Sequence, residues 1–193
     1  MSLYLPVIYG TVRAERKSIH VARFVTERLA LRPDVETRLF DPKGLPFGNL
    51  EFREWEWKDA PEGVTRFVAE MARADGFVIV TPEYNHGYPG TLKNILDHLS
   101  DEWHRKPFAL VGAGGMYGGV RAIDGLRLVL PGLGAVGIPS MIGVTNVETA
   151  FAEGGPVRDR ESWERRFDRL FTELEWYARA LRRARLDDPP PKA

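Results

Sequence analysis

The stretch "FVIVTPEYNHGYPGTLKNILDHL", Phe77–Leu99, opens with four apolar residues in a row and closes with apolar positions at helical spacing. A run apolar at every position, rather than at every second one, predicts a strand covered on both faces. Helices are what cover a parallel sheet in this way. Between strand and helix lies "TPEYNHGYPG", which is longer and more aromatic than the few residues a plain connection needs. Something planar and polar is expected to be held there.

The same rhythm recurs outward in both directions. "LYLPVIYG" predicts a first strand, and Ser18 is placed to cap a helix carrying Ile19, Val21, Ala22, Val25 and Leu29. "VETRLFD" alternates as a second strand. It is followed by the polar, aromatic excursion "LPFGNLEFREWEWKDAPEG" and a helix around Val64 to Ala74. After the stretch at Phe77 come "KPFALVGAG" as a fourth strand, the helical "VRAIDGLRLVLPGLG", "IPSMIGVTNV" as a fifth strand, and a long helix from Arg160 to Ala184. The fold class is therefore α/β, a doubly wound five-stranded parallel sheet with helices on both faces. The runs from Phe77, Phe108 and Ile138 are each expected to be buried on both sides. Residues 1–185 are expected to form one domain, and the charged, proline-rich "RLDDPPPKA" to leave residues 186–193 as a disordered tail.

Composition narrows the function. The 193 residues carry 27 basic and 27 acidic side chains, so no overall basic field argues for nucleic acid. The absence of cysteine removes disulfides, thiolate metal sites and a cysteine nucleophile. His20, His86, His98 and His104 show no metal-ligand spacing, and no metal is expected. "MSLYLPVIYG" reads as a core strand, being too short to cross a bilayer and lacking a signal-peptide pattern, so a cytoplasmic location is expected.

A doubly wound sheet binds ligands beyond the carboxyl ends of its strands, where strand order reverses. Three loops there carry chemistry. In "YGTVRAERKSIH", Gly10 allows a tight exit, Thr11 and Ser18 offer hydroxyls, and Arg13, Arg16 and Lys17 supply charge beside a helix N-terminus. That set suits a phosphate monoester, and it equally suits a plain polar loop. It matches neither the Walker loop nor the dinucleotide fingerprint, which argues against an NTPase. In the loop after Pro82, Tyr84 and Asn85 can frame a planar ring, His86 belongs to no triad, and Lys93 and Asn94 belong to the helix that follows. "GAGGMYGGVRA" places five glycines between Gly112 and Gly119, where close approach to a ligand and a flexible turn are the two readings.

"GTVRxxxxS", "PEYNxxxPGxLKNxxD" and "GGxxGGxRA" in this order resemble the NADPH-dependent FMN reductase family, flavodoxin-like proteins that include quinone, azo-dye and chromate reductases. The resemblance runs from Leu3 to about Val144. It implies FMN as cofactor, with its phosphate held by Thr11, Arg13, Ser18 and the backbone N–H of Ile19. Arg16, Lys17 and His20 are left open as further phosphate contacts. It implies Pro82, Glu83, Tyr84 and Asn85 beside the isoalloxazine, and Gly112, Gly114 and Gly115 along its pyrimidine side. It implies no catalytic side chain: NADPH (or NADH) passes hydride to the flavin, and a flavin, quinone, azo compound or metal oxyanion takes the electrons in a ping-pong cycle. It also implies a homodimer or homotetramer acting on a small-molecule acceptor. The alternatives are a flavodoxin-type electron carrier and an FMN-binding redox sensor with little NADPH turnover. "FREWEWKDAPEG" departs from the family pattern, and Trp55 and Trp57 stand there as lid, subunit contact or surface packing. The last helix, with Trp163, Phe167, Leu170, Phe171, Leu174 and Tyr177 on one stripe, is expected to pack on the sheet.

Overall fold

The computed structural model describes residues 2–53 and 56–189. Five strands form one sheet: β1 (Val7–Tyr9), β2 (Leu39–Phe40), β3 (Phe77–Pro82), β4 (Pro107–Ala113) and β5 (Val136–Val144). Their order is β2-β1-β3-β4-β5 and every neighbouring pair is parallel. This is the flavodoxin-like doubly wound order, with its reversal between β1 and β3. Pairing at the β2 edge begins earlier, where Leu3–Tyr4 runs parallel to Val35–Glu36. Pro6, which has no N–H to give, separates the two stretches.

Alternating side chains divide the core in two. Val7, Tyr9, Val78, Val80, Ala109 and Val111 face α1 (Ile19–Ala30) and the last helix, α5 (Arg160–Asp187). Ile8, Phe77, Ile79, Phe108 and Leu110 face α2 (Glu62–Arg73), α3 (Gly90–Asp97) and α4 (Val120–Gly132). The stripe of α5 packs as expected: Phe167, Leu170, Phe171 and Leu174 are buried against the sheet, with Trp163 and Tyr177 partly buried beside them. The helix continues through Leu186 and Asp187, two residues into the expected tail, and residues 190–193 lie outside the described residues. Among the described residues no helix is long and apolar enough to cross a membrane.

One expectation is corrected. The strands at Phe77 and Phe108 are buried throughout, but β5 is not, because it is the sheet's edge. Ile138, Ile142 and Val144 fill the α1/α5 side, whereas Pro139 and Met141 are exposed. The register also slips there: Phe108 pairs with Gly137 but Leu110 with Met141, a bulge that holds Pro139. Side chains occupy the outward backbone. Glu173 accepts from the Ser140 N–H at 3.1 Å, and Arg127 donates to the Pro139 carbonyl at 2.8 Å. Bulge, proline and charged neighbours together keep this edge from pairing with another chain.

Candidate functional site

The loops after β1, β3 and β4, with the segment after β5, enclose a cleft of about 340 Å³ at the carboxyl edge of the sheet. Of the residues singled out in the sequence, Arg13, Ser18, Pro82, Glu83, Tyr84, Gly114 and Gly115 line it. Thr11, Ile19, Asn85 and Gly112 do not, and each has another place.

Thr11 is buried behind the first loop. Its Oγ1 lies 2.9 Å from the Tyr84 hydroxyl and accepts from the Arg13 N–H at 3.3 Å, joining the first loop to the one after β3. The Arg13 guanidinium sits 5.3 Å from the centre of the Tyr84 ring. Ser18 does not cap α1 through its side chain. Its hydroxyl is 2.7 Å from that of Tyr9, whose pKa is pushed up to about 12, chiefly by burial. The Ile19 N–H turns back to the Arg16 carbonyl at 3.2 Å. Arg16 is committed elsewhere: it ion-pairs with Asp41 at 2.5 Å, donates to the Thr11 carbonyl at 2.9 Å and lies over the Tyr9 ring. That leaves Arg13 and Lys17 as exposed cleft cations, neither with a carboxylate partner among the described residues. Glu15 and Glu148 stand exposed on the same rim.

After β3 the chain makes a two-residue hairpin. The Tyr84 N–H donates to the Gly87 carbonyl at 2.8 Å, and the Gly87 N–H donates back at 3.0 Å. Asn85 and His86 between them have φ of 49° and 68°, the left-handed pair that a type I′ turn requires. Both side chains are exposed at the tip, away from the cleft lining. Lys93 pairs with Asp97, and Asn94 donates to the Gly48 carbonyl at 2.7 Å, so both serve α3 and its packing. Trp57 is half-buried against His98, with ring centres 6.1 Å apart, while Trp55 lies outside the described residues.

The glycines after β4 divide by role. A Cβ on Gly112 would stand 2.6 Å from the Gly118 carbonyl oxygen, so this glycine is required by the chain's own turn. A Cβ on Gly115 would meet nothing within 4 Å, and Gly115 presents bare backbone to the cleft. Sequence reading missed Asn146, Val147, Glu148 and Thr149, which close the cleft's far side. The Asn146 N–H donates to the Gly115 carbonyl at 2.8 Å and the Val147 N–H to that of Gly114 at 3.0 Å. No motif marks that segment; only its position at the end of β5 in a parallel sheet points to it. Among the described residues no three histidines or acids gather as a metal site.

Residues 4–149 match the family model of the NADPH-dependent FMN reductases. A protein of Schizosaccharomyces pombe named as an NAD(P)H-dependent FMN reductase is 37% identical over 58% of this chain and 58% of its own length. An FMN-dependent NADPH-azoreductase of Staphylococcus aureus is 30% identical over 77% of this chain and 80% of its own. Among solved structures, a flavoenzyme NAD(P)H:(acceptor) oxidoreductase from Paracoccus denitrificans superimposes with a TM-score of 0.72, at 24% identity, over 92% of this chain and 98% of that one.

Proposed function

The chain belongs to the NADPH-dependent FMN reductase family, and on that premise we propose that it is an FMN-dependent NAD(P)H oxidoreductase working at the cleft beyond β1, β3 and β4. One observation carries the reading. Two cations without a carboxylate partner among the described residues, an aromatic ring and a side-chain-free backbone edge converge where the strand order reverses. These residues fit a phosphate monoester joined to a flat ring.

Arg13 and Lys17, beside the start of α1, would take the phosphate, with the Thr11–Tyr84 hydroxyl pair and Ser18 shaping the wall behind it. Pro82, Glu83 and Tyr84 would border one side of the ring, and Gly114 and Gly115 the other, where the Gly114 N–H is given to the Val144 carbonyl at 3.1 Å and Gly115 leaves bare backbone open to the ligand. Ile19, Asn85 and Gly112 would act indirectly, by holding the helix start, the hairpin and the strand end. FMN held there would supply the redox chemistry between NAD(P)H and a flavin, quinone, azo compound or similar acceptor. No side chain is asked to move a proton. The protein orients donor and acceptor in turn at one exposed face. We place it in the cytoplasm as a homodimer or homotetramer, which light scattering behind size exclusion would read.

The test is the visible spectrum of the purified protein with FMN, then anaerobic NADPH, then quinone. The expected result is a bound-flavin spectrum that bleaches with NADPH and returns with quinone. A flavin spectrum that NADPH leaves untouched would replace the reductase with a carrier or sensor. No flavin spectrum would overturn the cofactor assignment.

A further inference from the structure

α4 starts after Gly119, a residue with no side chain to cap it. The cap comes from the loop after β3. The Arg121 N–H donates to Glu83 Oε2 at 3.1 Å, and the Arg121 guanidinium donates to Glu83 Oε1 at 3.1 Å. Glu83 is only 12% exposed and both its oxygens are engaged. Arg121 in turn lies over the Tyr117 ring, 4.1 Å from its centre. The two backbones so joined are the two sides of the cleft. Pro82 and Ala113 are paired at the strand ends, and Glu83 ties the chain just beyond Pro82 to the helix just beyond Gly115.

We propose that Glu83 is a positioning residue, which sets the spacing of the two ring-bordering edges through Arg121 instead of binding the ligand itself. This rests on the proposed flavin site. The carboxylate suits the task because the positive end of α4 and a guanidinium both neutralise it. A bare carboxylate at this edge would repel electrons delivered to the ligand. Paired, it adds rigidity without that repulsion.

The test is a double-mutant cycle of Glu83→Gln and Arg121→Leu, read as the FMN dissociation constant. Amide exchange over residues 119–123 is compared between the wild type and Glu83→Ala without FMN. Each single substitution is expected to weaken FMN about tenfold, and the double variant also about tenfold, because both remove the same ion pair. Exchange at the start of α4 should quicken about tenfold in Glu83→Ala, as expected when a helix cap is lost. A double variant weakened about a hundredfold would mean that Glu83 touches the ligand independently, and would overturn the proposal. Unchanged FMN affinity in the singles, or unchanged exchange, would do so too. A wild type that binds no FMN would sink the flavin site alone, and the exchange result would still decide whether Glu83 holds the helix start.

Discussion

Two arginines three residues apart do different work. Arg13 is exposed in the cleft and holds no carboxylate among the described residues, whereas Arg16 is locked to Asp41 and the Thr11 carbonyl. Arg13→Ala is expected to weaken FMN binding by about 1–3 kcal/mol, the range of charge-assisted hydrogen bonds, and to leave the Tm of the FMN-free protein unchanged. Arg16→Ala should instead lower stability by about 1–3 kcal/mol, between the limits for exposed and buried pairs. Flavin fluorescence titration beside thermal melts separates the two, and equal effects on both readouts would contradict the division. A third cation, Lys106, lies at the other end of the sheet. It is buried and donates to the carbonyls of Met71 at 2.6 Å and Ala72 at 2.8 Å, closing the last turn of α2. Burial pushes its ammonium down from 10.5 to about 8, with Arg185 adding to the effect. Between those values the unfolded chain binds the extra proton, so stability rises with pH across that window and its penalty is constant below it. Wild-type Tm is expected to climb from pH 8 to about 9.5 relative to that of Lys106→Met, and parallel profiles would refute the assignment.

At the scale of elements, the start of α4 is the most constrained join. Gly119 has φ of 80°, and a Cβ there would stand 2.6 Å from the Ala113 nitrogen. Gly119→Ala should cost about 2–4 kcal/mol, read as a lower urea midpoint, because left-handed strain adds to a backbone clash that cannot relax. An unchanged midpoint would mean the turn has slack that the contact does not show. This join also marks how far the sequence could be read. The five glycines were visible as a close-approach signal, but the signal does not say what approaches. At Gly112 and Gly119 it is the chain's own backbone, and only at Gly115 is it open space. β5 shows the same limit. An apolar run identifies a strand, but its place at the edge depends on strand order, and local composition does not carry that order. Ser18 reads as a cap because its type and position fit one; the competing partner, the Tyr9 hydroxyl, is nine residues away on β1.

Over the whole molecule, the strand–loop–helix rhythm was legible because period and punctuation are local properties. The three motif loops met at one cleft because a parallel sheet brings all its carboxyl ends together. The fourth side of the cleft, Asn146 to Thr149, carries no motif and emerged only with the fold. Four cross-links join neighbouring loops around the opening: Thr11 to Tyr84, Glu83 to Arg121, Gly114 to Val147 and Gly115 to Asn146. A ligand seated inside this ring binds the folded chain and not the unfolded one. FMN at a hundred times its dissociation constant should therefore add about 2.7 kcal/mol of stability. A thermal melt with and without FMN checks this, and an unmoved Tm would mean that the folded chain does not bind FMN in preference to the unfolded one.

The hairpin tip stands apart from that ring. Asn85 and His86 are fixed by backbone hydrogen bonds between Tyr84 and Gly87, so their side chains are surplus to the architecture. Only tolerance of left-handed φ limits what can replace them, and Asn-Gly or Asp-Gly would keep the turn. Exchange of these two side chains for others that accept left-handed φ should therefore leave the ring of loops undisturbed. The two exposed side chains form a fingertip beside the ring, held out by backbone alone.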